Sequence, residues 1–316
     1  MALSSFPPLS QPGCTVRTPK PLYFNPHTNT HVQEYLPGAV SVKSYFLRDP
    51  ADGQQSQKPG CVDIGHGLGE WLAKFHDWAR DPSRVAGGLH AEISQNREMQ
   101  MLKNSVNYGL LVSNLPHDAP AAHREALEAV RKMSEDELAD EAKLQVIHGD
   151  FWTGKYAFSP LHACFDLDTG TALRLSADDS PSVLLCGRPL PPGAKLDIFI
   201  VDWELCTLGV RPLDLGQMIA EMYELYLFRG IEPGLWLVEG FCAGYKIRDE
   251  PDADAFAFRT AIHVGTHLAT FGGVADWATE QQRADAVGRG KEIVIRAWTK
   301  DKTWFLDSHL ACLFRP

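Results

Sequence analysis

Apolar positions recur with different periods in different parts of the chain. Between residues 62 and 80, Ile64, Leu68, Trp71, Leu72, Phe75 and Trp78 return at three- and four-residue steps, one broad face of a helix. His76 lies beside that stripe and reads as the polar tip of a packed helix rather than a ligand. Residues 119–143 are charged and rich in alanine, which predicts another helix. Helical spacing returns beyond residue 210, with helices predicted over 213–229, 233–247, 252–271 and 276–299. The front of the chain differs. Leu22-Tyr23-Phe24 and Thr30 to Leu36 read as two short strands around a turn at Asn25 to Asn29, and Pro37-Gly38 punctuates them. Residues 1–20, rich in Pro and Ser, read as an irregular lead, and 49–60 as a polar loop. Two short apolar runs stand apart, Leu144-Gln145-Val146-Ile147 and Leu196 to Val201. Each predicts a buried strand and each leads to an aspartate, Asp150 behind His148-Gly149, and Asp202. No internal repeat is visible.

Composition narrows the class. With 316 residues, 44% of them apolar and 22% charged, a globular chain with a sizeable core is expected, not a disordered one. The net charge of -10 argues against nucleic acid as a partner, because phosphate binding needs a basic footprint. No run approaches the roughly 18 apolar residues of a membrane span, and Met1 to Pro8 lacks the regions of a signal peptide. Seven cysteines (14, 61, 164, 186, 206, 242 and 312) form no CxxC pair and read as reduced thiols in a cytoplasmic protein.

The two strand-terminal aspartates carry the chemistry. A strand end delivers a side chain to a cleft from a fixed backbone direction. One carboxylate there can take a proton from a nucleophile while the other holds a divalent cation; as turn or cap residues they would do neither. His263 and His267 have the i, i+4 spacing of a metal pair, but no glutamate accompanies them, and two polar tips on a packed helix is the simpler reading. Asp214 reads as a cap of the 213–229 helix that braces the catalytic strand. Glu221 and Glu224 on that helix have the chemistry to meet a cationic substrate, but read more simply as a solvated face. Trp236, Trp277, Trp298 and Trp304 read as core or lobe surface.

The run His148-Gly149-Asp150-Phe151-Trp152-Thr153-Gly154, with Ile200-Val201-Asp202-Trp203-Glu204 downstream, resembles the active-site pair of the aminoglycoside phosphotransferase and choline kinase group. These are small-molecule relatives of the protein kinases. Tyr23-Phe24-Asn25 through Leu36 resembles the last small-lobe strands and the hinge, Leu68 to Trp78 the first large-lobe helix, and Pro212 to Gly216 the helix start after the metal aspartate. The resemblance spans roughly residues 17–300. It implies an α+β, protein-kinase-like fold that is mainly the helical C-terminal lobe, with a remnant of the N-terminal β lobe. Residues 21–36 would be that remnant and the hinge, 37–300 the large lobe, and 301–316 a C-terminal tail. The implied activity is ATP- and Mg2+-dependent phosphorylation of a small-molecule hydroxyl. Asp150 would orient and deprotonate that hydroxyl, Asp202 would hold Mg2+ with Glu204 as helper, and Gln33, Glu34, Tyr35 and Leu36 would offer hinge groups to an adenine. Such chemistry is positioning plus charge neutralisation.

Three departures accompany the resemblance. Lys155 stands where the family has a metal-binding asparagine, and an ammonium has no lone pair to give. The hinge-like segment arrives by residue 33, without a glycine-rich phosphate loop or a strand lysine before it; Lys20 and Lys43 are out of place for that role. Asp150 and Asp202 are 52 residues apart, about twice the family's spacing. Residues 155–182 read as an atypical insertion, either an ordinary lineage-specific loop or, as the favoured reading, a translated retained intron of a fungal-type gene. With codon 155 as AAG and codon 182 as an AGY serine, the stretch begins and ends on splice-like signals. Its removal leaves an asparagine codon followed by Val183-Leu184-Leu185. The alternative function is a catalytically inactive kinase-like binding or scaffold protein. A metal-dependent hydrolase using Asp150, Asp202 and His148 is weaker, because no histidine cluster converges.

Overall fold

The computed structural model describes residues 6–28, 30–47, 58–81, 83, 87–113, 115, 119–154, 163–165, 172–174, 183–186 and 195–315. The expected class holds: small sheets lean on a large helical body. Strands β1 (Leu9–Ser10), β2 (Cys14–Arg17), β3 (Pro21–Asn25), β4 (Thr30–Gln33) and β5 (Ala39–Ser41) come first. Then come β6 (Gln145–Ile147), β7 (Ala163–Phe165), β8 (Ala172–Arg174), β9 (Val183–Cys186), β10 (Leu196–Ile200) and β11 (Thr207–Gly209). The helices are α1 (Val42–Leu47), α2 (Lys58–Arg80), α3 (Leu89–Ile93), α4 (Arg97–Asn104), α5 (Leu110–Ser113) and α6 (Ala121–Ala139). They continue with α7 (Pro212–Arg229), α8 (Pro233–Tyr245), α9 (Ala253–Thr270), α10 (Glu280–Trp298) and α11 (Lys302–Leu306).

From residue 6 to residue 20 the chain is not the irregular lead its composition predicts. Cys14 and Val16 alternate inward and are fully buried. Their strand, β2, runs parallel to β10 in a five-stranded sheet ordered β1-β2-β10-β9-β5. A strand of four residues is too short to show a period. The predicted front strands exist as the β3–β4 hairpin, but β4 stops at Gln33. Glu34 leaves it because its carboxylate takes both ends of the Arg17 guanidinium, at 2.6 and 2.8 Å. Helix α2 starts four residues before the predicted 62, so Lys58, Pro59 and Gly60 join it; proline is tolerated in a first turn. The rest of the predicted polar loop and most of residues 155–182 lie outside the described residues. The expected tail folds back, with Phe305 and Leu313 fully buried.

Close backbone contacts hold the helical body together, and the seam between α2 and α8 is one of them. Helices α2 and α8 approach so near that a Cβ on Gly65 would lie 2.2 Å from the Leu237 carbonyl oxygen, and one on Gly240 2.2 Å from that of Val62. Only hydrogen fits at these positions, so backbone meets backbone. Around this seam, Trp71, Leu72 and Phe75 are fully buried. Five described cysteines are free thiols: Cys14, Cys61, Cys206, Cys242 and Cys312. No helix among the described residues is long and apolar enough to cross a membrane.

Candidate active site

Both aspartates follow short buried strands, but the strands belong to different sheets. β6 pairs with β11, a strand the sequence did not reveal, whereas β10 lies inside the five-stranded sheet. One buried ring joins the two. His148 Nε2 donates to the carbonyl oxygen of Val201 at 3.0 Å, while its Nδ1 accepts the backbone N–H of Asp150 at 3.3 Å. A carbonyl only accepts, so the proton sits on Nε2. Burial pushes the His148 pKa down and keeps the ring neutral, against the pull of Asp214 and Asp150. The ring also packs on Trp203, with centroids 4.4 Å apart.

The turn before Asp150 is braced from α7. Gly149 has φ 79°, and a Cβ there would fall 2.1 Å from the Leu205 carbonyl oxygen, so the turn requires glycine. Asp214 accepts the backbone N–H groups of His148 at 2.8 Å and Gly149 at 2.9 Å. His76 Nε2 donates to the same carboxylate at 3.0 Å and accepts at Nδ1 from the Tyr245 hydroxyl at 2.9 Å. Burial opposes the charge of Asp214, yet these donors hold its pKa below the usual carboxylate value; burial keeps His76 neutral. Asp214 therefore braces the turn before Asp150, as expected. It does not cap its helix, because the residue at the cap position is Arg211 and makes no side-chain capping bond.

Asp150 itself is oriented by two residues the sequence did not point to. Lys103 Nζ donates to Asp150 Oδ1 at 2.9 Å, and Gln217 Nε2 donates to the same oxygen at 2.8 Å. Lys103 also donates to Gln217 Oε1 at 3.2 Å. Gln217 was discoverable, since it lies one turn beyond Asp214 on the same face of α7. Lys103 had no signal, because α4 is short and buries none of its residues.

Asp202 and Glu204 line a groove of about 960 Å³ together with Gln33, Glu34, Tyr35 and Leu36. The hinge-like segment and the expected metal ligands thus share one concavity, to which Tyr23, Phe24 and Leu184 add apolar wall. Asp150 is not part of that wall; His148 connects it. Asp202 has φ 62°, a left-handed conformation that aspartate tolerates better than most residues. Two carboxylates beside an open groove suit a hard divalent cation. Position 155 lies outside the described residues.

The remaining candidates resolve differently. Glu221 and Glu224 are not a solvated face: both are fully buried, because α7 passes through the middle of the helical body. His263 and His267 are buried polar tips of α9, as expected. His263 Nδ1 bonds the Tyr108 hydroxyl at 2.9 Å and His267 Nε2 bonds Glu221 Oε1 at 2.7 Å. Trp236, Trp277, Trp298 and Trp304 are partly buried against the core, as expected.

No family model matches the chain. It is 26% identical over 296 residues to a phosphotransferase named FrzJ from Cladobotryum sp., covering 91% of this chain and 67% of that protein. It is 21% identical over 234 residues to a 4-hydroxytryptamine kinase from Psilocybe cubensis, covering 72% of this chain. The match spans about half of that kinase, 53%. A solved structure of a choline/ethanolamine kinase family protein from Mesorhizobium loti aligns with 94% of this chain and 78% of its own, at 16% identity and a TM-score of 0.38. The sequence relatives are named for phosphoryl transfer, and they support placing this chain in a kinase-like phosphotransferase family.

Proposed function

We propose that this chain transfers a phosphoryl group from ATP, with Mg2+, to the hydroxyl of a small molecule. The observation that carries this reading is the pairing of Asp150 with the Asp202 groove through His148. One carboxylate is fixed by Lys103 and Gln217, and the other faces the space beside the hinge-like segment.

In this reading Asp150 accepts the proton of the substrate hydroxyl through its carboxylate as the oxygen attacks the terminal phosphorus. Lys103 holds that carboxylate in place and contributes positive charge where negative charge gathers. Gln33 to Leu36 receive the adenine edge. Asp202 and Glu204 are the residues that would hold Mg2+, which when bound neutralises phosphate charge.

The acceptor is proposed as a small-molecule alcohol or phenol, in line with the relative named for 4-hydroxytryptamine. The test is release of ADP and a new phosphate-ester signal in phosphorus NMR, with a panel of amino alcohols and hydroxyindoles. Asp150→Asn should abolish the signal while leaving the melting temperature unchanged. Absence of any nucleotide-induced shift in melting temperature would count against the proposal. The second reading, a catalytically inactive kinase-like binding protein, draws on Lys155 standing in place of a metal-binding asparagine; it predicts no ADP release with any acceptor.

A further inference from the structure

The polar face of α7 does not end at the catalytic loop. Asp214, Gln217, Glu221 and Glu224 recur at three- and four-residue steps, so they lie along one side of the helix. The first two serve His148, Gly149 and Asp150. The next two close on Lys43 of α1, a side chain with no exposure. Its Nζ donates to Glu221 Oε2 at 2.5 Å and to Glu224 Oε2 at 3.3 Å. The ammonium lies 4.9 Å from the ring centre of Trp277 and 6.0 Å from that of Trp152, within cation–π range.

Thr153, three residues beyond Asp150, is gripped twice. Its hydroxyl donates to Glu221 Oε2 at 3.2 Å, and its carbonyl accepts the backbone N–H of Lys43 at 3.2 Å. Lys43, Glu221 and Thr153 therefore form a closed ring of contacts. His267 holds the other oxygen of Glu221 at 2.7 Å. Burial opposes the Glu221 charge, yet Lys43 and His267 bring its pKa down to about 2.

Glu221, Glu224 and His267 bring ligand atoms within 4.8 Å of one another, a grouping with the chemistry of a cation site. The chain supplies the cation itself. An ammonium and carboxylates removed from water persist only as partners. The place of Thr153 therefore depends on the charge of Lys43, not on its aliphatic stem alone. Lys43 also begins two residues after β5, which follows the hinge-like segment 33–36. Lys43 thus stands seven residues beyond Leu36 of the groove wall, while its side chain meets the carboxylate that holds Thr153.

We propose that Lys43 is a positioning residue for Asp150. Its ammonium, acting through Glu221 and Thr153, fixes the 150–154 loop on α7. The inference rests on the reading of Asp150 as the catalytic carboxylate.

The test compares the full chain with Lys43→Met, Lys43→Arg and Lys43→Ala, adding Lys43→Met/Glu221→Gln should the single Met variant not fold. Two readouts are used: amide hydrogen exchange across 150–154 and steady-state kinetics with ATP–Mg2+. Lys43→Met, or its double variant, should speed exchange across the loop by about tenfold and leave α8 unchanged. It should lower kcat by about 10²-fold with the KM for ATP within about twofold. Lys43→Arg should recover most of both. Propylammonium added to Lys43→Ala should slow loop exchange again, because it returns the missing cation to its chamber. Loop exchange equal to that of the unaltered chain, or indifference of Lys43→Ala to propylammonium, overturns the proposal and leaves Lys43 as packing. Should the unaltered chain show no turnover, the reading of Asp150 fails, while exchange and propylammonium still decide whether Lys43 locks the loop.

Discussion

The Lys103 ammonium stands 2.9 Å from Oδ1 of Asp150, although 47 residues separate the two in the chain. Gln217 reaches the same oxygen from α7. Two donors on one oxygen hold the carboxylate in place, as the proposed role of Asp150 as a base requires. Lys103→Met should therefore cut turnover by about 10²-fold, the usual effect of removing one fixed charge or donor from a reacting centre. Steady-state kinetics beside a melting curve checks this. Unaltered turnover would make the contact an ordinary ion pair.

Stability should fall on acidification, and histidines should begin the fall. Burial depresses the pKa values of His76, His148 and His263 below the ordinary 6.5. Near and below that value the unfolded chain binds protons that the folded rings refuse, so protons favour unfolding. Each ring contributes up to about 1.4 kcal/mol per pH unit over that window. Asp214 and Glu221, with depressed carboxylate pKa values, add to the loss only below their ordinary 3.8 and 4.5. Urea midpoints measured from about pH 7 to about pH 5 should decline, and His263→Gln should make the decline shallower. A flat profile contradicts the buried, neutral state of these rings.

Two glycines should respond in opposite directions to the same substitution. Gly240→Ala places a methyl 2.2 Å from the Val62 carbonyl oxygen and must push α2 and α8 apart. A loss of about 1–3 kcal/mol is expected. Gly288→Ala, within α10, meets nothing within 4 Å and should gain about 0.4–1 kcal/mol by restricting the unfolded chain. Denaturant titration of both variants reads the contrast directly.

The gene offers a further check on the 155–182 stretch. Transcripts should include a form lacking it, in which Gly154 is followed by asparagine and then Val183. In the folded chain Val183 starts β9 and pairs with Ile200, two residues before Asp202. Sequencing of genomic and complementary DNA settles the point: an AAA codon at 155 or a TCN codon at 182 removes the splice signals.

The amphipathic stripe over 62–80 and the long periodic helices beyond residue 210 were written in local spacing, and the structure reproduces them within a few residues. The motif at 148–154 and Asp202 also stand out in order along the chain, and the structure links the two through His148 and Val201. β2, β11 and the partners of Asp150 were not legible in the sequence. Strands of three or four residues carry too little period to be read, and Lys103 sits on a helix that buries none of its residues. Glu221 and Glu224 were misread for a related reason: a charged side chain looks solvated until its counter-ion is known. Lys43 is 178 residues away from Glu221 in sequence, and only the folded chain brings the two to 2.5 Å. The sequence by itself determined which candidate residues the chain offers and which segments become helices, since both depend on neighbours in sequence. Tertiary structure decided which charges are buried, which oxygen of Asp150 is held, and how its loop is fastened, because pairing in a dry interior depends on what packing brings together across long stretches of chain.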